Sequence, residues 1–308
     1  FRSIGMRKYH KQTTFLAIVA CLLWSSAFVG VKIGLKYHTP LQFAGIRFVI
    51  SGLMLLPVIY DLKRFWKETS QNLGFVLLIA FLQVILQYSL FYMGISLLPA
   101  SISAMIVGSS PLFIALIAHF FVKGDRMNLS KSGSILLGII GVAIITIGRK
   151  KLPSGAEIAL AGVVFLLLNN VVSAISNIVI AKKRHSISPL VLTSSSLFIG
   201  GLGLLFISFP IEGLPQKSFP PEYFVALTWL SFLSAAAISI WNTLLRRPEV
   251  KVSELNIWKF LIPVSGAALS WLILPNEWPD LKSVSGMVLI GISLVILNLS
   301  FSRRTSNT

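Results

Sequence analysis

Ten transmembrane helices, built as two inverted repeats of five with both termini in the cytoplasm, make this chain an all-α membrane protein as read from its residues alone. Its oiliness, its rhythm of apolar runs and an internal duplication lead there. Of 308 residues 55% are hydrophobic and 12% charged, with a mean hydropathy of +0.82. A soluble domain cannot hide that much apolar surface from water. The formal charge of +17 would suit nucleic acid, but the basic residues fall in short clusters between apolar runs, where cytoplasmic loops carry them. The expected surrounding is therefore a lipid bilayer and not nucleic acid. One cysteine, Cys21, rules out an intramolecular disulfide and supplies no metal set; no cofactor is expected.

Apolar runs near spanning length recur at 13–34, 41–60, 73–97, 100–122, 130–148, 158–181, 189–209, 223–245, 252–274 and 283–301. Short connections separate them, and Pro40, Pro99, Pro153, Pro189, Pro248 and Pro279 fall in or beside these as helix breakers. The runs are continuous, not alternating, which excludes membrane strands. Residues 1–12 read as a cytoplasmic segment, 13–148 as the first repeat, 149–157 as a connecting loop, 158–301 as the second repeat and 302–308 as a cytoplasmic tail. The chain opens on Phe1 and Met6 is the expected initiator. The first run is too long for the apolar core of a signal peptide and has no small-residue cleavage site.

Orientation follows from the cations. With the N-terminus inside, eighteen Lys and Arg fall in cytoplasmic segments and six outside; Lys32, Arg47 and Lys259 lie within spans. That bias places both termini inside, against one awkward outer cluster, Arg149–Lys151.

The duplication shows as matched landmarks. "PLQFAGIRFVISGLMLL" from Pro40 aligns with "PLVLTSSSLFIGGLGLL" from Pro189 at an offset of 149. Pro111 meets Pro263 at 152, and Gly133 and Gly138 meet Gly286 and Gly291 at 153. An odd number of spans per copy puts the second copy into the bilayer upside down. Inverted repeats of this kind place a substrate site near the midplane between the halves.

With these residues in view, the sequence resembles the drug/metabolite transporter superfamily, and within it the ten-helix EamA-type exporters. The resemblance rests on "WSSAFVGVKIGL" in the first span, on Pro40 with Arg47 in "PLQFAGIRF", and on "YMGISLLPASISAMIVGSSPLF" with Tyr92, Pro99, Ala100 and Pro111. An acidic residue after the fourth span, Asp125, and Glu277 near the equivalent place extend it across residues 13–301. It implies export of small metabolites, often amino acids or drugs, and leaves the substrate open.

Polar residues inside spans mark a pathway or glue between helices. Lys259 lies seven residues into its span and either snorkels to the cytoplasmic interface or faces a cavity and meets a substrate anion. Its repeat partner is Val107, so the fold does not require a charge there. Trp258 beside it is a candidate stacking wall or interfacial anchor. Asn170, Ser173 and Asn177, spaced i, i+3, i+7, share a helix face; Gln83 and Gln87, spaced i, i+4, with Tyr88, form another. Trp24 and Phe28 could stack on substrate or simply pack. Trp241, close to the cytoplasmic end of its span, is as much a candidate interface anchor as a substrate contact. Arg47 is assigned a structural or gating role, and Pro111 and Pro263 are candidate hinges. Glycines of the fifth and tenth spans let those helices approach, as a scaffold or the face of a candidate homodimer.

Every Asp and Glu falls at a span end or in a loop, and there is no phosphate-binding loop for ATP. Facilitated diffusion or exchange of a small-molecule substrate is the expected mode, with His119, Lys259 or Glu254 as the options for proton coupling. A carrier of amino acids or organic anions is the leading reading; an exporter of neutral drugs is the alternative. A passive channel lacks a filter sequence. An intramembrane hydrolase, hence an enzyme, lacks a base within reach of Ser109 or Ser110.

Overall fold

The computed structural model describes residues 2–121, 128–147, 156–183, 187–213, 218–247, 250 and 252–305. Among these there is no strand. Ten apolar helices follow the ten apolar runs closely: α1 Arg2–Gly34, α2 Pro40–Ile59, α3 Leu73–Leu97, α4 Ala100–Phe121, α5 Leu129–Ile147, α6 Ala156–Lys182, α7 Pro189–Glu212, α8 Pro221–Leu245, α9 in two pieces (Val252–Ile257 and Leu261–Ile273) and α10 Leu281–Thr305. Seven are long and apolar enough to cross a bilayer; α5, α9 and α10 hold shorter apolar stretches. Pro40, Pro189 and Pro221 each stand in a first turn, where the missing N–H costs nothing. Large apolar side chains such as Leu136, Phe206, Val225 and Val295 point outward and exposed, a surface that suits lipid and not water. Asp125 and the Arg149–Lys151 cluster lie outside the described residues, as does the side chain of Glu254.

The helices pair in a pattern that survives exchanging the halves. α2 packs on α7, α4 on α9 and α5 on α10, while α1 on α8 answers α6 on α3. The α2–α7 crossing is antiparallel and repeats itself. A Cβ on Gly52 would strike Phe198 N and Ser194 O at 2.7 and 2.8 Å; one on Gly201, its partner at offset 149, would strike Val49 N and Gly45 O at 2.6 and 2.9 Å. Absent side chains bring these two backbones together. In α5 and α10 the close approach is made by Gly141 and Gly286, each facing the other's carbonyl, whereas Gly133 and Gly291 meet open space.

A helix absent from the sequence reading, Leu62–Gln71, follows α2. Asp61 Oδ1 caps it by accepting from Arg64 N at 2.9 Å, and Phe65 and Thr69 form its buried face. It carries Glu68, whose carboxylate accepts from Ser188 N at 2.8 Å at the start of α7. Two more carboxylates hold helix starts across the halves. Glu212 accepts from Leu41 N and Gln42 N at 2.8 and 2.9 Å, and Glu277 from Ala100 N and Ser101 N at 2.5 and 2.8 Å. Each satisfies N–H groups with no partner in their own helix and sits on the positive end of its dipole.

Burial pushes the Glu68 carboxyl up, but the Ser188 N–H and the Arg64 guanidinium pull harder and hold it below the usual glutamate range. A lowered folded value means the tie is at full strength above the ordinary pKa of about 4.3 and is lost as pH falls through the folded value. Thermal unfolding in detergent should therefore show a gap between wild type and Glu68→Gln at pH 7 that closes toward pH 3. A gap independent of pH would remove this role for the carboxylate.

Candidate functional site

Three departures from regular α-helix surround one central cavity. In α3 the stretch Ala80–Leu86 is wound as a π-helix, which carries Gln83 and is followed directly by Gln87 and Tyr88; such segments favour functional positions. In α4 the helix stops at Gly108, passes through Ser109 and resumes at Ser110. In α9 a 3-10 turn, Trp258–Phe260, separates the two pieces. The last two breaks share a cause. Proline ejects the carbonyl four residues earlier, and Pro111 and Pro263 stand four residues after Val107 and Lys259. The broken segments pack together: a Cβ on Gly108 would overlap the Pro263 ring. Asn170 on α6 repairs α4, donating to Ile106 O at 2.8 Å and to Ser109 Oγ at 3.3 Å.

The cavity between these elements has a volume of about 80 Å³, room for several waters or the polar end of a small metabolite. Its walls include Trp24, Phe28, Gln83, Gln87 and Tyr88 from α1 and α3. Asn170, Ser173 and Asn177 line it from α6, and Lys259 from α9. The structure thus gathers nine of the ten sequence-derived substrate candidates. The tenth, Trp258, is not on the cavity; it packs partly buried against the core beside Phe260. Arg47 lines the cavity, while Pro111 and Pro263 stand at the breaks without lining it.

Lys259 does not snorkel outward. It is 6% exposed, and its Nζ lies over the Trp241 ring at 5.0 Å and the Trp24 ring at 5.7 Å. It makes no hydrogen bond or ion pair among the described residues. Burying a lysine in a membrane helix costs about 3 kcal/mol, and cation–π contacts return about 0.5–2 kcal/mol, so the placement is not self-supporting. Arg47 is 1% exposed. Its Nε and Nη2 donate to Ser234 Oγ at 2.9 and 2.6 Å, its Nη1 donates to Tyr92 OH at 2.7 Å, and its guanidinium carbon lies 4.7 Å from the Phe48 ring centre. No carboxylate among the described residues lines the cavity.

Trp241, open between two roles in the sequence, is decided by its position. It is 2% exposed, meets Trp24 edge to face at 5.0 Å, and its Nε1 donates to Asn177 Oδ1 at 3.0 Å, so it is a cavity wall and not an interface anchor. Phe91 and Ser110 were missed. Ile238 and Trp241, spaced i, i+3, held the available signal. His119 is not on the cavity.

Comparison with known proteins agrees with this architecture. A Bacillus subtilis protein named "Uncharacterized transporter YvbV" is 28% identical over 93% of this chain and 92% of its own. A Salmonella typhimurium protein named "Probable amino-acid metabolite efflux pump" is 28% identical over 92% of each chain, and an Escherichia coli protein of the same name is 27% identical over 91% of this chain and 93% of its own. A protein of known crystal structure shares the fold with a TM-score of 0.71 at 14% identity, covering 94% of this chain and 98% of that one. The family described as "EamA-like transporter family" matches twice, over residues 12–147 and 160–299. The chain is a multi-pass integral membrane protein and belongs to the EamA-like transporter family, within the drug/metabolite transporter superfamily.

Proposed function

We propose that this protein is a secondary transporter that exports small metabolites bearing an anionic group, such as amino acids or organic anions, across the bacterial plasma membrane. It works by alternating access between two inverted five-helix repeats, with all ten helices crossing and both termini cytoplasmic. The observation that carries the reading is Lys259, a buried cation with no acid partner among the described residues, in a cavity where both halves meet. Support comes also from the antiparallel pairing of equivalent helices, from broken helices at the seam, and from relatives named as efflux pumps. With no acid on the cavity among the described residues, the substrate's own gradient or exchange drives the cycle. The aromatic walls Trp24, Phe28 and Trp241 favour a second reading, export of neutral compounds.

Counterflow in proteoliposomes tests this. The purified protein is expected to accumulate a labelled small organic acid or amino acid saturably, with equal rates with and without a pH gradient. A flux that never saturates would turn the reading toward a channel. Saturable flux confined to neutral compounds would favour the second reading.

A further inference from the structure

The cavity's fixed charges are lopsided, with Arg47 and Lys259 and no carboxylate among the described lining residues, and the imbalance narrows the cargo. Lys259 presents three N–H groups with no hydrogen-bond partner among the described residues. Arg47 has used three of its five N–H groups on Ser234 and Tyr92, leaving two. On the walls, Trp24 Nε1 and the Ser110 hydroxyl also lack partners, with Ser110 only 2% exposed. The neutral groups go both ways: Asn177 Oδ1 is taken by Trp241 Nε1, but Gln83 Oε1 is unpartnered, and the Ser110 and Tyr88 hydroxyls and the Gln87 amide can each donate or accept. A carboxylate or phosphate oxygen accepts only and an ammonium donates only, so Lys259 and Arg47 serve the first and offer the second nothing. The fixed charges agree: two cations and no carboxylate among the described residues repel an ammonium through a medium that screens poorly.

A second concavity repeats the bias. It has a volume of about 460 Å³ and lies where α1 ends and α2 and α4 begin, lined by Lys32, Lys36 and His38. Its one acid among the lining residues, Glu277, is already tied to Ala100 N and Ser101 N.

We infer that, of the two cargo classes proposed above, only the organic anions are carried: the cargo has no cationic amine, carries two anionic groups or one anionic group and a neutral amide, and zwitterionic amino acids and organic cations are excluded. This rests on the transporter reading above and sharpens it: an amino-acid skeleton would pass only after its amine had been acylated or removed. For cargo built on an amino-acid skeleton, the class of reaction that supplies it is N-acylation or deamination.

Counterflow with four labelled probes decides it: succinate, N-acetylglutamate, glutamate and tetraphenylphosphonium. Succinate or N-acetylglutamate is expected to run at least tenfold faster than glutamate, which differs from N-acetylglutamate by its free ammonium, and tetraphenylphosphonium should not run. Glutamate equal to or faster than its acetylated form, or uptake of tetraphenylphosphonium, would overturn the inference and leave the transporter reading standing. Failure of all four, with saturable uptake of alanine, would overturn the inference alone. Failure of every solute, alanine included, would defeat the transporter reading itself. Lys259→Met supplies a second readout. The ratio of N-acetylglutamate to glutamate rates is expected to fall toward one, and an unchanged ratio would remove Lys259 from the discrimination.

Discussion

Lys259→Met is expected to lower transport of an anionic substrate by about tenfold to a hundredfold while leaving the protein as stable as wild type or more so. A hydrogen bond to a charged group contributes about 1.5–3 kcal/mol, and each 1.4 kcal/mol is tenfold in affinity. Methionine keeps the length and apolar stem that carry the side chain to Trp24 and Trp241 and removes only the ammonium. If Lys259 were a structural member of a buried charge pair, deleting it would destabilise by about 3–5 kcal/mol. It has no such partner among the described residues, so removing the charge relieves a desolvation cost instead. Substrate counterflow and thermal unfolding in detergent, measured on the same preparation, separate the cases. Lost transport with a retained or raised melting temperature fits a charge kept for cargo. Unchanged transport, or a collapse in stability, would refute the assignment.

Gly201→Leu is expected to cause the largest loss of stability of any single change on the α2–α7 crossing. The first added carbon would meet Val49 N at 2.6 Å, Gly45 O at 2.9 Å and Phe48 C at 3.0 Å, all backbone atoms. A flexible side chain could move aside; a helix backbone cannot, so α2 and α7 must part. Parting them also strains the bond from Ser194 Oγ to Gly52 O, now 2.8 Å. Overpacking costs about 1–3 kcal/mol and more where nothing can yield, which for a chain of this length puts the fall in melting temperature at roughly 2–5 °C or more. Gly133→Ala is the control, since nothing lies within 4 Å of its new carbon, and helix propensity alone favours it by about 0.5–1 kcal/mol. Equal melting temperatures for Gly201→Leu and wild type would show that the crossing is looser than its contacts imply.

Helix identity was legible because continuous apolar runs of spanning length have few other uses; the helices begin and end close to the runs except α1, which starts at Arg2 and takes in the basic segment ahead of its run. The cavity face was legible wherever helices stay regular: Asn170, Ser173 and Asn177 do share a face, and it does meet the other half. Legibility failed where the backbone leaves the 3.6-residue period. The 3-10 turn at Trp258–Phe260 changes the angular step between neighbours, so Lys259 faces the cavity and Trp258 does not, which sequence spacing cannot foretell. Trp241 stays open in the sequence for a different reason. Nearness to a helix end fits the interface as well as the cavity, and only the fold shows Asn177 offering its indole a partner inside. The carboxylate ties were invisible because Glu212 and Leu41 are 171 positions apart, and only the fold brings them together.

Those ties bear on leakage. Glu212 and Glu277 fasten helix starts at one end of the bundle, and Glu68 fastens another at the opposite end. Any motion that parts the halves at either end must first strip a carboxylate from its N–H groups, at a cost of about 1.5–3 kcal/mol for each such bond. That toll is the same with or without cargo. In the carrier proposed above, that toll would keep the idle protein shut for most of its time, so a cell could hold many copies in its membrane without bleeding the solute gradients it depends on.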